Sequence, residues 1–376
     1  MNILIAPDTF KGSLSSIEAG EIIKSGVKKI FPSAKTILFP LADGGEGTLD
    51  VIEKLIGGER KRVYVSDPLG RKIKAEYLKK GENCFVEMAK AAGLTLLKEK
   101  ERDPLKTTTF GVGQIIKKAI EDGCKRIYLG VGGSATNDGG IGALTALGIK
   151  FFRKDGSLIY PGTGKDLIEI VKVDTSELHK NTVKCKFIIL SDVKNPLYGK
   201  KGASYIYAKQ KGADEKTVEF LDRGLKNYAC VIEKFTGKKV SKIEGAGAAG
   251  GISAGFLAFL NAEIKSGAET ILKMGNFKEK IKKADLLITG EGKIDKQTFY
   301  GKTLQILFNL AEKYRIPTIA LCGTVDEEIY KILDSNMISI ISILPGLVDY
   351  RDAMKKAKYY LRIKTEQIMK ILKWIT

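Results

Sequence analysis

Apolar and polar positions near the start of the chain alternate as short strands and helices require. Residues 2–8 (NILIAPD) form an apolar run that ends in an acidic residue. Residues 15–31 then carry isoleucine and valine at helical spacing, with Ser15 or Ser16 as a plausible N-cap. A second apolar run at 36–42 leads into an acidic, glycine-rich segment before another helical pattern. This alternation predicts a parallel α/β sheet, in which ligands bind at the loops that follow the strands.

The last quarter of the chain repeats this pattern, whereas the middle third differs from both ends. The repeated strand and helix patterns lie at 284–295, 303–314, 317–325, 338–346 and 352–375. The apolar stripe of the last segment is expected to dock on the sheet rather than on a membrane. We therefore predict two α/β domains. Residues 1–80 together with 285–376 form a parallel-sheet domain of the Rossmann or flavodoxin type, and residues 81–284 form a second α/β domain inserted into it.

The composition narrows the classes of partner and compartment. The chain has 376 residues and a formal net charge of +19, but its lysines are spread in short groups without a long basic tract. This pattern favours a lysine-rich surface, which also attracts small anionic substrates, over a nucleic-acid interface. No segment approaches the length of a membrane span, and the five cysteines are dispersed without the spacing of a zinc site. We expect a cytoplasmic protein with free thiols.

The chain contains a single histidine, His179, which lies in a polar segment. With one histidine, we do not expect a serine–histidine triad or a metal site with several histidine ligands. A general base in this protein should be a carboxylate, and a metal should be a hard cation held by oxygen ligands.

Four segments combine glycines with acidic residues next to an apolar strand or helix. They are ADGGEGT (42–48), GGSATNDGG (132–140), EGAGAAGG (244–251) and TGEGKID (289–295). Each segment alone could be a structural turn. Together they suit a polyphosphate with Mg²⁺, because backbone N–H groups bind phosphate oxygens and carboxylates bind the metal or its waters. The apolar run at 127–131, the loop at 130–140 and the helical spacing at 141–148 predict a strand, a loop and a helix, and the free N–H groups of this helix face an anion.

Neither of the common nucleotide fingerprints fits. Gly245, Gly247 and Gly250 have the spacing of a dinucleotide motif, but the segment before them is a poor buried strand. Residues 162–165 (GTGK) lack the first glycine and the final hydroxyl residue of a Walker A motif. A nucleotide enzyme with this sequence is therefore neither a P-loop protein nor a Rossmann dehydrogenase.

Two charged residues follow apolar runs in positions that suit chemistry. Asp192, after KFIIL, can accept a proton from a substrate hydroxyl or bind Mg²⁺, or it can simply cap the turn before Pro196. Lys11, three residues after Asp8, can bind an anionic substrate or be an ordinary surface lysine.

The motifs together resemble one family. APDTFKGSLS, ADGGEGT, GVGGSATNDGG, SDVKNPLYGKKGA, QKGA, EGAGAAGG and TGEGKIDKQT occur in this order over nearly the whole chain, which is similar to the bacterial glycerate kinases. The resemblance implies phosphorylation of D-glycerate at the 2-hydroxyl with ATP and Mg²⁺. It also implies two α/β domains with the active site in the cleft between them. Thr9 and Lys209 depart from the family pattern, which usually has serine and proline there, and neither change removes a carboxylate.

Under this reading the residues take the following roles as a hypothesis. Asp192 is the first candidate for the base and Asp138 the second. Glycerate contacts Asp8, Lys11 and Asn137. ATP phosphates contact the glycine-rich loops at Gly132, Gly133, Ser134, Gly139, Gly245, Gly247 and Gly250. Mg²⁺ lies near Asp192, Glu291 or Asp295.

Three other functions stay open at this level. They are a kinase of a related hydroxy acid or sugar acid, a non-catalytic protein that binds anions or nucleic acid, and an NAD-dependent oxidoreductase. The last would need residues 245–250 to bind a dinucleotide despite their weak match to the motif. The sequence does not specify the oligomeric state or the preferred nucleotide.

Overall fold

The computed structural model describes residues 1–299, 303–333 and 335–375. Its strands are β1 Asn2–Pro7, β2 Lys35–Leu38, β3 Glu59–Ser66, β4 Lys72–Lys80, β5 Asn83–Glu87, β6 Arg126–Gly130, β7 Lys150–Phe152, β8 Leu158–Ile159, β9 Lys172–Asp174, β10 Lys186–Leu190, β11 Glu263–Lys265, β12 Leu286–Ile294, β13 Thr318–Val325 and β14 Ile338–Ser342. Its helices are α1 Ser16–Ile30, α2 Thr48–Ile56, α3 Ala89–Ala92, α4 Phe110–Glu121, α5 Ile141–Ala146, α6 Ala203–Tyr207, α7 Glu215–Thr236, α8 Ala248–Leu260, α9 Gly267–Met274, α10 Phe277–Ile281, α11 Thr303–Tyr314, α12 Glu328–Ile332 and α13 Tyr350–Ile375.

The chain forms two compact units. Unit 1 comprises Met1–Asp43, Asp50–Ile56 and Ala268–Thr376, and unit 2 comprises Gly44–Leu49 and Gly57–Gly267. The expected boundaries, near residues 80 and 284, differ from these for two reasons. β3 and β4 pair antiparallel with each other, and β4 pairs with β5, so the whole hairpin belongs to unit 2. The helices α9 and α10 bury Leu272, Phe277 and Ile281 in the core of unit 1.

Unit 1 contains a parallel five-stranded sheet in the order β14-β13-β12-β1-β2. Alternate residues of β1 face opposite sides, as the period of two of a strand requires. Ile3 and Ile5 pack with α1 and α13, whereas Leu4 and Ala6 pack with α10 and α11. The predicted α/β class with parallel strands is confirmed.

The last helix docks on this sheet, as its apolar stripe predicted. Leu361, Ile368 and Met369 of α13 are buried in the same cluster as Ile3 and Ile5 of β1. Among the described residues, no helix is both long and apolar enough to cross a membrane.

Unit 2 contains a six-stranded sheet in the order β11-β10-β6-β5-β4-β3. The four strands from β11 to β5 run parallel, and β4 and β3 extend the sheet antiparallel. A small antiparallel sheet, in the order β8-β7-β9, is formed by residues that lie between β6 and β10 in the sequence. The candidate loop at 130–140 follows β6, at the carboxyl end of a central strand, where open parallel sheets bind ligands.

One of the four predicted acidic, glycine-rich loops is not a loop. Residues 289–294 continue β12, which pairs with β13 as far as Ile294 opposite Val325. A Cβ atom at Gly290 would lie 2.0 Å from the carbonyl oxygen of Leu321, so glycine permits the close approach of β13 there. The prediction of a loop at 289–295 holds only for its last residue.

Candidate active site

The glycine-rich segment after β6 is mostly buried. Gly133 is exposed and Gly132 half-buried, but Thr136, Asn137 and Asp138 have no exposed surface. The segment leads into α5, which has only six residues. The part of the glycine-rich segment that faces the surface is therefore the turn at Gly132 and Gly133, and the rest of the segment is buried inside unit 2.

The anion at the start of α5 is a side chain of the protein itself. Asp138 Oδ2 accepts hydrogen bonds from Thr109 N at 2.8 Å, Thr109 Oγ1 at 2.7 Å and Gly142 N at 3.4 Å, and Oδ1 accepts one from Gly140 N at 3.1 Å. Burial raises the pKa of Asp138, while these hydrogen bonds lower it. Asp138 is thus a buried anchor of this segment, and it occupies N–H groups that were expected to face a phosphate. Its role as the second candidate for the base stays a prediction.

Several predicted phosphate contacts also serve backbone packing. The N–H groups of Gly132, Gly139 and Gly247 donate to the carbonyl oxygens of Gly44, Gly250 and Asn195, at 3.1, 2.9 and 3.0 Å. These amides are engaged within unit 2, and their contact with phosphate stays a prediction.

Gly245 and Gly250 are buried as well, so their expected phosphate contact is not supported. Gly250 has φ of +73°, and a Cβ atom there would lie 2.2 Å from the carbonyl oxygen of Thr136. Glycine is needed at this position because two backbone segments approach closely. Gly133 is the remaining predicted glycine that faces the surface.

Asn137 was expected to bind substrate, but its side chain is enclosed. Its Nδ2 donates to Ser204 Oγ at 3.1 Å. Its Oδ1 is buried without a hydrogen-bond partner among the described residues. A buried acceptor of this kind calls for a donor such as an ordered water. The structure therefore does not bring Asn137 to a surface that glycerate can reach.

Unit 1 places Asp8 at the carboxyl end of β1, beside the middle of β12. Asp8 N donates to Gly290 O at 2.7 Å, and Asp8 Oδ1 accepts from Thr9 N at 2.6 Å. Burial and the nearby Asp43 carboxylate raise the pKa of Asp8 to about 6, against the opposing effects of Thr9 and the exposed Lys11. A half-buried carboxylate with a raised pKa at a strand end is typical of functional sites.

The raised pKa of Asp8 predicts a dependence of stability on pH. Between about pH 4 and pH 6 the folded chain binds more protons at this residue than the unfolded chain, so the free energy of unfolding falls as pH rises through that window. We expect Asp8→Asn to be more stable than the wild type at pH 8, by about 1 to 3 kcal/mol, and to lose this advantage near pH 4.5. Urea unfolding at both pH values measures the difference.

Glu21→Gln is the matched control for that experiment, because Glu21 is an exposed carboxylate on α1 of the same unit. Surface ion pairs contribute little, so its difference from the wild type should barely change with pH. An Asp8→Asn effect of equal size at both pH values would contradict the assignment of a raised pKa to Asp8.

Two predicted metal ligands lie together in unit 1. Thr298 Oγ1 donates to Glu291 Oε1 at 2.8 Å, Asp295 N donates to Thr298 Oγ1 at 3.1 Å, and Lys293 Nζ lies 3.6 Å from Asp295 Oδ2. Asp192, the third, follows β10 in unit 2 and is half-buried. Within residues 1–299, 303–333 and 335–375, no group of three or more His, Cys, Asp or Glu residues could hold a metal. The pair Glu291 and Asp295 still fits Mg²⁺, which takes one or two carboxylates together with waters and phosphate oxygens.

The comparison with known proteins decides the family. The sequence pattern of the glycerate kinase family matches residues 3–373. This chain belongs to the glycerate kinase family. The expectation of an enzyme, and specifically of a kinase, is thereby confirmed.

Individual members of the glycerate kinase family are similar over nearly their full length. A glycerate kinase of Halalkalibacterium halodurans is 40% identical over 374 residues, 99% of this chain and 98% of the relative. A glycerate 2-kinase of Escherichia coli K12 is 40% identical, over 95% and 94% of the two chains. A crystal structure from Salmonella typhimurium LT2, of a protein assigned as glycerate kinase 2, has a TM-score of 0.85 and 38% identity, and covers 99% of this chain and 98% of its own.

Sequence reasoning missed two residues that hold the segment after β6. Thr109 binds Asp138 through both its N–H and its hydroxyl, and nothing in the run TTTF indicated this. Lys211 lies in the QKGA motif, which carried the resemblance without a role for its lysine, and it is almost fully buried. The motif was therefore a usable signal, whereas Thr109 required the structure.

Proposed function

We propose that the protein transfers the γ-phosphoryl group of ATP to the 2-hydroxyl of D-glycerate. The observation that carries this proposal is the similarity to the Escherichia coli glycerate 2-kinase over 95% of the chain. ATP as the donor is implied by membership of a kinase family.

The acceptor is an anion, and unit 1 offers a cation and a carboxylate for it. The exposed Lys11 is proposed to bind the carboxylate of glycerate, and Asp8 to accept a hydrogen bond from one of its hydroxyls. Although the pKa of Asp8 is raised, its value of about 6 still lies below neutral pH. Asp8 is therefore mostly ionised there and can accept the hydrogen bond.

Asp192 is proposed as the base. The oxygen of the 2-hydroxyl forms a bond to the γ-phosphorus, the bond from that phosphorus to the bridging oxygen of ADP breaks, and the hydroxyl proton passes to the carboxylate of Asp192. The exposed turn at Gly133 is proposed to contact the phosphate chain through its backbone.

Glu291 and Asp295 are proposed to hold Mg²⁺ or its waters. When bound, Mg²⁺ neutralises charge on the transferred phosphoryl group. We further propose a cytoplasmic setting, consistent with five free cysteines, and glycerate and ATP rather than nucleic acid as partners.

Turnover of the purified protein with ATP, Mg²⁺ and D-glycerate tests the reaction, with the product resolved by phosphorus NMR. We expect 2-phosphoglycerate and ADP in equal amounts, and loss of turnover when EDTA removes the metal. The 2- and 3-phosphates are distinguishable because each phosphorus couples to a different number of carbon-bound protons.

Each alternative outcome has a definite meaning. A 3-phosphoglycerate signal overturns the choice of hydroxyl and retains the reaction class. If glycerate gives no product but another hydroxy acid or sugar acid in a substrate panel is phosphorylated, that compound is the acceptor instead of glycerate. DNA retention at physiological salt without any turnover would support a non-catalytic binding protein.

A further inference from the structure

Lys211 is a buried lysine that the proposed reaction does not yet use. It ends a short turn at Lys209–Lys211, which closes at Gly212 with φ of +100°. Its side chain is 1% exposed, while Lys209, two residues earlier, is exposed and paired with Glu215. Lysine is seldom fully buried without a partner, so the contacts of this ammonium group need an explanation.

The ammonium group of Lys211 binds the segment after β6 at two points. Nζ donates to Ser134 Oγ at 2.9 Å and to the carbonyl oxygen of Thr136 at 2.7 Å. The exposed turn at Gly133 immediately precedes Ser134. Lys211 therefore fixes both the side chain that follows this turn and the backbone two residues further on.

The same segment is also held through a carboxylate of its own. Asp138 binds Thr109, Gly140 and Gly142, as described above. Asp138 is also the charged group that favours the ammonium form of Lys211, against the desolvation that lowers the pKa of Lys211 to about 7. The segment is thus held by Lys211 from outside it and by its own Asp138, which binds it to Thr109.

Stability alone does not account for a lysine at this position. Replacing a buried ionic group with an apolar side chain of similar volume is often neutral or stabilising, because desolvating the charge is costly. A methionine would fill most of the same volume. What it would lose is the pair of directed hydrogen bonds to Ser134 and Thr136.

We propose that Lys211 is a positioning residue for phosphoryl transfer, which acts through Ser134 and Thr136 to hold the turn at Gly133 against the phosphate chain of the nucleotide. This inference rests on the proposed function for its consequence in catalysis. Lys211 itself is enclosed and does not touch the substrate.

Lys211→Met tests the proposal, with Lys209→Met as the matched control on the exposed neighbour. We expect Lys211→Met to fold, to raise the KM for ATP more than the KM for glycerate, and to lower kcat/KM for ATP about 100-fold, the usual loss from a misplacement of about 1 Å. Lys209→Met should stay within about twofold of the wild type, since exposed ion pairs contribute little.

Ser134→Ala provides a milder second variant if Lys211→Met does not fold. It removes one of the two hydrogen bonds, and we expect a loss in kcat/KM of about 3- to 10-fold, from a single hydrogen bond. In the Lys211→Met background, Ser134→Ala should lower kcat/KM by less than about twofold, because the ammonium group that binds Ser134 is already absent.

Hydrogen exchange of the unliganded protein supplies a readout that does not depend on the reaction. Peptides that cover residues 132–142 should exchange faster in Lys211→Met than in the wild type, while peptides from β1 stay unchanged. If this segment exchanges in Lys211→Met at the wild-type rate, the positioning role is wrong. It is also wrong if the KM for ATP and the KM for glycerate rise equally in this variant. If the wild type does not phosphorylate glycerate, the proposed function fails, and exchange alone decides whether Lys211 holds the segment.

Discussion

Asp192→Asn should abolish most turnover while leaving the fold intact. The substitution keeps the size of the side chain and removes its capacity to take a proton. Removal of a general base typically lowers the rate by about 10²- to 10⁴-fold, and we expect kcat for glycerate phosphorylation to fall within that range. Steady-state kinetics at saturating ATP and Mg²⁺ measure the effect, with melting temperature as the check on folding.

Asp155→Asn is the matched control, because Asp155 is an exposed aspartate of unit 2 whose carboxylate accepts hydrogen bonds from Ser157 N and Oγ in its own turn. It removes the same charge and should leave kcat unchanged. If Asp192→Asn retains turnover within about tenfold, equal to about 1.4 kcal/mol in the barrier, Asp192 is not the base. A loss that high Mg²⁺ restores would assign Asp192 to the metal.

Asp138→Asn should have the largest effect on stability. The carboxylate accepts four hydrogen bonds inside unit 2, and the new amide group would turn an N–H donor toward donors such as Thr109 N. Loss of one partner from a buried charged network costs about 3 to 5 kcal/mol. We expect a decrease of that size in the free energy of unfolding at pH 7, measured by urea denaturation.

Asp222→Asn is the comparison for this variant. Asp222 is half-buried and accepts a hydrogen bond from Gly199 N at 2.7 Å, so its replacement should cost about 1 kcal/mol. Equal losses in the two variants would contradict the assignment of Asp138 as the anchor of the segment after β6.

The sequence predicted the elements whose patterns are local. The run at 2–8 is β1, and the helical pattern at 15–31 is α1 with Ser15 as its N-cap, where Glu18 N donates to Ser15 Oγ at 3.2 Å. Strand alternation and capping depend on neighbours within a few residues, so they are visible without the fold.

The features that the sequence did not predict depend on distant partners. The glycine-rich end of β12 is a strand because β13 supplies its hydrogen bonds. Asp138 is an anchor because Thr109, far back in the chain, lies beside it. In the same way, Lys211 became a candidate only through its contact with Ser134. The same types of charged and hydroxyl side chain occur in catalytic sites and in buried structural networks. Only the packing around them distinguishes the two.

The position of β1 in the sheet of unit 1 sets an order of assembly during synthesis. β1 lies between β2 and β12, and its partner on one side begins only at Leu286. At typical bacterial elongation rates the ribosome needs about 15 to 60 s to make the intervening chain. Throughout that time one edge of β1 has no strand to pair with, and an uncovered edge of this kind is a template for aggregation. We therefore expect the nascent protein to be most prone to aggregation while unit 2 is already complete and the sheet of unit 1 still lacks its middle strand, β12.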